Sequence, residues 1–186
     1  MVGHSSGGVI ALELARQSPR CVATLSVLEP SLPVPASAML AATVVQPAFA
    51  AYLAGEKSTA IDTFLAGVCG PDHPSVVDRL LPTGARRRAA EDADTLSTVE
   101  APSVGQWGFD PRMLSELRMP VMSVLGERSD GVSAVSRQAH ELVMAHVADV
   151  EAYVLPRATH FLQLHNPSDL AVALARFIDQ HPVSSS

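Results

Sequence analysis

Dense apolar runs alternate along this chain with stripes of helical spacing. Val9, Ile10, Leu12, Leu14 and Ala15 crowd together after Gly7-Gly8, and Ser18-Pro19 closes the run as a helix closes before proline. Residues 22–28 are mostly apolar without strict alternation, which marks a strand covered on both faces. From 30 to 119 no strand pattern emerges. Ile61, Phe64, Leu65 and Val68 stand instead at i, i+3, i+4 and i+7 before Gly70-Pro71, and Val76, Val77, Leu80 and Leu81 are stopped by Pro82. Strand character returns at 121–125, between Pro120 and Gly126. Val135, Ala139, Leu142 and Val143 then predict a helix, 150–155 a strand, and Leu170, Val172, Leu174, Phe177 and Ile178 a last helix. Strands alternating with helices at this spacing predict an α/β fold on a parallel sheet. Three strands are legible, against about five or six in an average sheet, so the chain reads as part of a larger sheet.

The first helix pattern is preceded by Gly3-His4-Ser5-Ser6-Gly7, the G-x-S-x-G of a nucleophile elbow. A serine on a sharp strand-to-helix turn is backbone-strained, and the glycines on either side are expected to be there for steric reasons; a strand should precede the turn, and Met1 and Val2 are expected to be what remains of it. Ser5 would present its hydroxyl above the sheet, and the amide of Ser6 would face a developing oxyanion. A serine hydroxyl needs a base, and the base an orienting carboxylate. Active-site residues of parallel sheets stand at strand carboxyl ends. Asp130 and His160 meet that condition past the strands at 121–125 and 150–155; Glu127 is the alternative acid and His165 the rival base.

These segments resemble the α/β-hydrolase superfamily, in its serine-nucleophile, cap-bearing branch, from residue 2 to about 182. The likeness rests on "VGHSSGGVIALELA", "PVMSVLGERSD" and "LPRATHFLQLHNPSDLAVALARFI". It implies Ser5 as nucleophile, His160 as general base, Asp130 as its acid and a helical cap at 30–119. A serine at the elbow is unlike the haloalkane dehalogenase and epoxide hydrolase branches, which carry aspartate there. The family's sheet has further strands before the elbow, and a loop among them gives a second oxyanion amide. The chain is therefore expected to be a C-terminal portion: 1–29 and 120–182 as hydrolase core, 30–119 as cap, 183–186 as tail. The implied activity is hydrolysis of a carboxylic ester or related acyl bond; carbon-carbon hydrolysis and peracid formation use the same residues. A truncated or non-catalytic protein that binds a small apolar ligand is the alternative.

Composition narrows this further. The chain has 186 residues, 47% hydrophobic and 17% charged, with 13 Lys plus Arg against 19 Asp plus Glu and a formal net charge of −6. Scattered basic residues and an acidic balance argue against nucleic-acid partners. The basic run Arg86-Arg87-Arg88, followed by Glu91, Asp92 and Asp94, predicts a solvated helix face. The uncharged stretch 30–55 is interrupted by Pro33, Pro35, Gln46 and Pro47, which argues against a membrane span. Cys21 and Cys69 form neither a disulfide framework nor a C-x-x-C pair, and no basic-then-apolar leader precedes Gly3. Buried thiols and a cytoplasmic location are expected. No metal or cofactor motif is present, so none is expected. The predicted partner is a small apolar substrate. His4, Trp107 and Phe161 are its candidate contacts, with Phe109 and the cap residues Met39, Val44, Val45, Phe49 and Tyr52 as further apolar positions. A half-sheet leaves the strand at 22–28 or its neighbours with an unpaired edge, which predicts self-association through it.

Overall fold

In the computed structural model, which describes residues 1–182, four parallel strands lie side by side in chain order. They are β1 (Val2–His4), β2 (Leu25–Leu28), β3 (Val121–Gly126) and β4 (Val150–Leu155). The tail expected at 183–186 lies outside the described residues. β1 is the strand that the hydrophobic pattern did not reveal. Three residues are too few for a period, yet they pair in register with β2, Val2 opposite Ser26 and His4 opposite Leu28. β2 is paired on both sides, and among the described residues the open edges of the sheet are those of its neighbour β1 and, on the far side, β4. Residues 22–24 precede β2, because Val22 is still held in a turn by its amide bond to the Pro19 carbonyl.

Each face of the sheet is covered, as a parallel sheet requires. α1 (Ser6–Gln17) follows β1 directly, and its Ala11, Leu12 and Ala15 pack with Leu25, Val27 and Val121 on one face. Met122, Val124, Leu28 and Leu155 turn to the other face. β2 connects to β3 through helices alone. α2 (Ser37–Leu40) runs through a π-helical turn (Ala41–Val45) into α3 (Gln46–Leu53). α4 (Lys57–Cys69), α5 (His73–Leu80), α6 (Ala85–Glu91) and α7 (Ala93–Thr95) follow. A second π-helical turn (Leu96–Glu100) leads into α8 (Ala101–Gln106). Both π turns run straight into a proline, Pro47 and Pro102. A proline inside a helix lacks its N–H and crowds the carbonyl one turn back, and a widened turn accommodates both defects. The apolar stretch therefore continues as helix past Pro47. The arginine run stands on α6, with Arg86 paired to Asp62 and Arg87 to Glu91. Among the described residues no helix is long and apolar enough to cross a membrane.

After β3, α9 (Ala134–His146) joins the α1 side, burying Ala139 and Val143. Beyond β4, α10 (Leu162–His165) and α11 (Pro167–Gln180) cover the opposite face. The buried stripe of α11 is Leu170, Ala173 and Phe177, while Val172 and Ile178 from the predicted set are exposed. Asn166 caps α11 by accepting from the Asp169 amide, and Ser133 caps α9 in the same way from Val135.

Candidate active site

The turn between β1 and α1 holds Ser5 at φ 53° and ψ −123°, a conformation that an L-residue keeps only when its surroundings enforce it. Here the Ser5 amide donates to the Leu28 carbonyl at 3.0 Å, and the Ser5 carbonyl accepts from Gly8 at 2.9 Å and Ser31 at 3.1 Å. A Cβ on Gly3 would lie 2.4 Å from the Gly7 carbonyl oxygen, and one on Gly8 would lie 2.9 Å from Pro30 Cβ. Gly7 faces open space. The steric need expected at Gly3 and Gly7 thus falls on Gly3 and Gly8. Ser6 is the first residue of α1, so its amide has no acceptor within the helix and stands at the positive end of the helix dipole.

His160 lies in the loop after β4, its side chain 13% exposed. Its Nδ1 is 2.7 Å from Oε2 of Glu29, the residue directly after β2, whose side chain is fully buried. Three other donors converge on the same carboxylate. Oε1 accepts from the Gly126 amide at 2.7 Å and from Ser129 Oγ at 2.5 Å, and Oε2 accepts from Ser136 Oγ at 2.8 Å. Burial pushes the Glu29 carboxyl up, but the hydrogen bond and charge of His160, with Ser129 and Gly126, outweigh it and hold it below its ordinary value. An ionised carboxylate only accepts, so His160 Nδ1–H is the donor in this bond.

Asp130, expected in that position, is not brought to His160. The chain leaves β3 through a 3-10 turn (Ser129–Gly131) that turns Ser129 inward onto Glu29 and Asp130 outward, where it pairs with Arg137 Nε at 3.1 Å. Glu127 accepts from the Arg157 amide at 2.7 Å and is exposed. The rival base His165 braces the histidine loop, its Nδ1 accepting from the Thr159 amide at 3.1 Å. The same loop is tied to the end of α4 by Thr159 Oγ1, which donates to the Cys69 carbonyl at 2.8 Å. A signal for Glu29 was present in the sequence: an acidic residue at the carboxyl end of an apolar strand, just before the uncharged stretch 30–55.

Ser5, Glu29 and His160 line one cavity of about 520 Å³. His4, Trp107 and Phe161 line it as well, under a roof that includes Leu40, Phe64 and Leu96. His4 Nε2–H donates to the His160 carbonyl at 2.9 Å, and the two rings stand 4.6 Å apart. Burial, and then the neighbouring His160, hold His4 down to about 4, so it is neutral at pH 7. Phe109 packs 4.9 Å from Trp107 and against the core. Of the five apolar cap positions, Val45 lines the cavity, Met39 and Phe49 are exposed, Val44 packs over Gly67, and Tyr52 donates to Asp94. Cys69 is buried in the cavity wall, where burial pushes its thiol up to about 12, whereas Cys21 is exposed instead of buried.

Residues 1–174 match the model of a family described as "Alpha/beta hydrolase family". No curated protein matches. Among solved structures, MenH from S. aureus superposes with a TM-score of 0.71 at 12% identity, over 97% of this chain and 67% of that one. Naproxen esterase (carboxylesterase NP) from Bacillus subtilis gives 0.64 at 20% identity, over 95% and 58%. The 2-hydroxy-6-oxo-6-phenylhexa-2,4-dienoate hydrolase of Rhodococcus sp. strain RHA1 gives 0.61 at 19% identity, over 95% and 62%. At these identities the likeness establishes a partial α/β-hydrolase fold, and the chain spans about three-fifths of the length of such structures.

Proposed function

The chain belongs to the α/β-hydrolase family, and we propose that within it Ser5, His160 and Glu29 form a serine-hydrolase triad acting on an uncharged, apolar carboxylic ester or related acyl bond. The observation that carries this reading is the hydrogen-bonded pair of Glu29 and His160 in the same cavity as a serine held at positive φ. Ser5 Oγ would attack the carbonyl carbon while His160 Nε2 takes its proton and returns it to the leaving alcohol. The Ser6 amide would donate to the oxyanion, and water would then release the acid from the acyl-enzyme. Glu29 replaces Asp130 as the group that fixes the His160 tautomer and balances the imidazolium formed in transit. The apolar roof favours an apolar acyl group, and the carboxylates of Glu29 and Glu100 in the lining disfavour an anionic one. Esterases among the structural neighbours agree with ester cleavage.

A fluorophosphonate probe tests the assignment on the chain itself. Labelling of the wild type that disappears in Ser5→Ala is expected. Absence of labelling in a chain folded by circular dichroism would contradict the enzyme reading and leave the ligand-binding alternative.

A further inference from the structure

The segment that delivers Glu29 also brings a second hydroxyl to Ser5. Ser31 Oγ lies 3.2 Å from Ser5 Oγ. The two residues are bracketed by backbone bonds: the Ser5 amide donates to the Leu28 carbonyl and the Ser31 amide donates to the Ser5 carbonyl. Between them Pro30 is buried against Gly8, at the point where a Cβ would lie 2.9 Å away. On the far side Leu32, 1% exposed, anchors the segment in the core. The Ser31 hydroxyl is thereby fixed in the cavity wall beside the reacting oxygen.

We propose that Ser31 is a further catalytic hydroxyl, donating to Ser5 Oγ and acting chiefly on deacylation; this rests on the triad reading above. In the resting pair either hydroxyl can donate; once Ser5 has given its proton to His160 its oxygen can only accept, and Ser31 is then the donor. In acylation that oxygen forms the bond to the carbonyl carbon, and the proton held by His160 leaves with the alcohol. In deacylation water adds to the acyl carbon and its proton passes to His160 Nε2. The bond from carbon to Ser5 Oγ then breaks, the electron pair goes to Oγ, and His160 returns the proton there. Negative charge builds on Ser5 Oγ in this last step, starting from an ester oxygen that accepts hydrogen bonds poorly, and a hydrogen bond to a charged oxygen is stronger than one to a neutral oxygen. Before acylation the resting serine already holds its bond to Ser31, so less is gained there. Ser31 keeps its proton throughout.

The test measures the two half-reactions separately for wild type, Ser31→Ala and Ser31→Thr. The burst of p-nitrophenolate from p-nitrophenyl acetate reports acylation. Loss of the acetyl group from pulse-acetylated, reagent-free protein, followed by intact mass, reports deacylation. Removing a donor to a charged oxygen is expected to slow deacylation roughly 10- to 100-fold in Ser31→Ala while acylation changes by less than about threefold. Ser31→Thr, which keeps the hydroxyl, should restore most of the deacylation rate. Unchanged deacylation in Ser31→Ala, or equal loss in both half-reactions with no rescue by threonine, would overturn the proposal while turnover that depends on Ser5 leaves the triad standing. A folded wild type that is not acetylated on Ser5 overturns both.

Discussion

At the scale of single residues, the chemistry depends on which carboxylate is desolvated. Glu29 and Asp130 both follow a strand, but Glu29 is closed off from water and receives four donors, whereas Asp130 has one solvent-facing arginine. The partner of His160 was expected at a strand carboxyl end, and the structure places there Glu29, from the end of a different strand. Three of the donors that distinguish Glu29 come from Gly126, Ser129 and Ser136, about a hundred residues away in the chain, so no local pattern records them. Ser5, His160 and the cavity positions His4, Trp107 and Phe161 were legible because their signals are local spacing and residue type. His4 carries its own prediction. Its folded value of about 4 lies below its ordinary 6.5, so the unfolded chain binds a proton in that window that the folded chain does not. Stability is complete above about pH 6.5 and falls as pH drops towards 4, by about 3 kcal/mol from this group. Denaturant titrations should therefore show a gap between wild type and His4→Gln that changes by that order from pH 7 to 4. Parallel curves would count against a neutral, buried His4.

Between elements, close approach decides what a position tolerates. Gly3 lets β1 meet the start of α1, Gly8 lets Pro30 pack against α1, and Gly126 lets the histidine loop come close, since a Cβ there would lie 2.7 Å from the Ala158 carbonyl oxygen. Gly7 has no such neighbour. Thermal melts should separate them: Gly3→Ala and Gly8→Ala are expected to destabilise by about 1–3 kcal/mol through overpacking. Gly7→Ala should be neutral or stabilise by up to about 1 kcal/mol, because alanine is the better helix former. Equal losses at all three would contradict the contact geometry. Helices at 61–68, 135–143 and 170–178 and the strands after Pro120 and at 150–155 were readable because their periods span several residues. β1, three residues long, shows no period and was legible only through the elbow that requires a strand before it, and the π turns were not legible, because they answer to a steric conflict at Pro47 and Pro102 and not to a period.

For the molecule as a whole, the open side of the sheet matters most. β1 carries Val2, 48% exposed, and α1 beside it presents Ile10, 68%, and Leu14, 42%. A strand paired on one side only and flanked by exposed apolar side chains favours association. Size-exclusion chromatography with light scattering is expected to show a mass that grows with concentration, reduced in Ile10→Glu/Leu14→Glu. A monomer at every concentration would refute that expectation. Ser5, Glu29 and His160 line one cavity at the carboxyl ends of β1, β2 and β4. The proposed triad depends on the pairing of Glu29 with His160. The most direct measurement of it is the rate of fluorophosphonate labelling in Glu29→Gln and Asp130→Asn against wild type. Glu29→Gln should label roughly 10²–10⁴ times more slowly, through loss of the correct tautomer and of charge balance, and Asp130→Asn within about twofold, as a surface charge does. The reverse order, with Asp130→Asn crippled and Glu29→Gln active, would contradict the assignment.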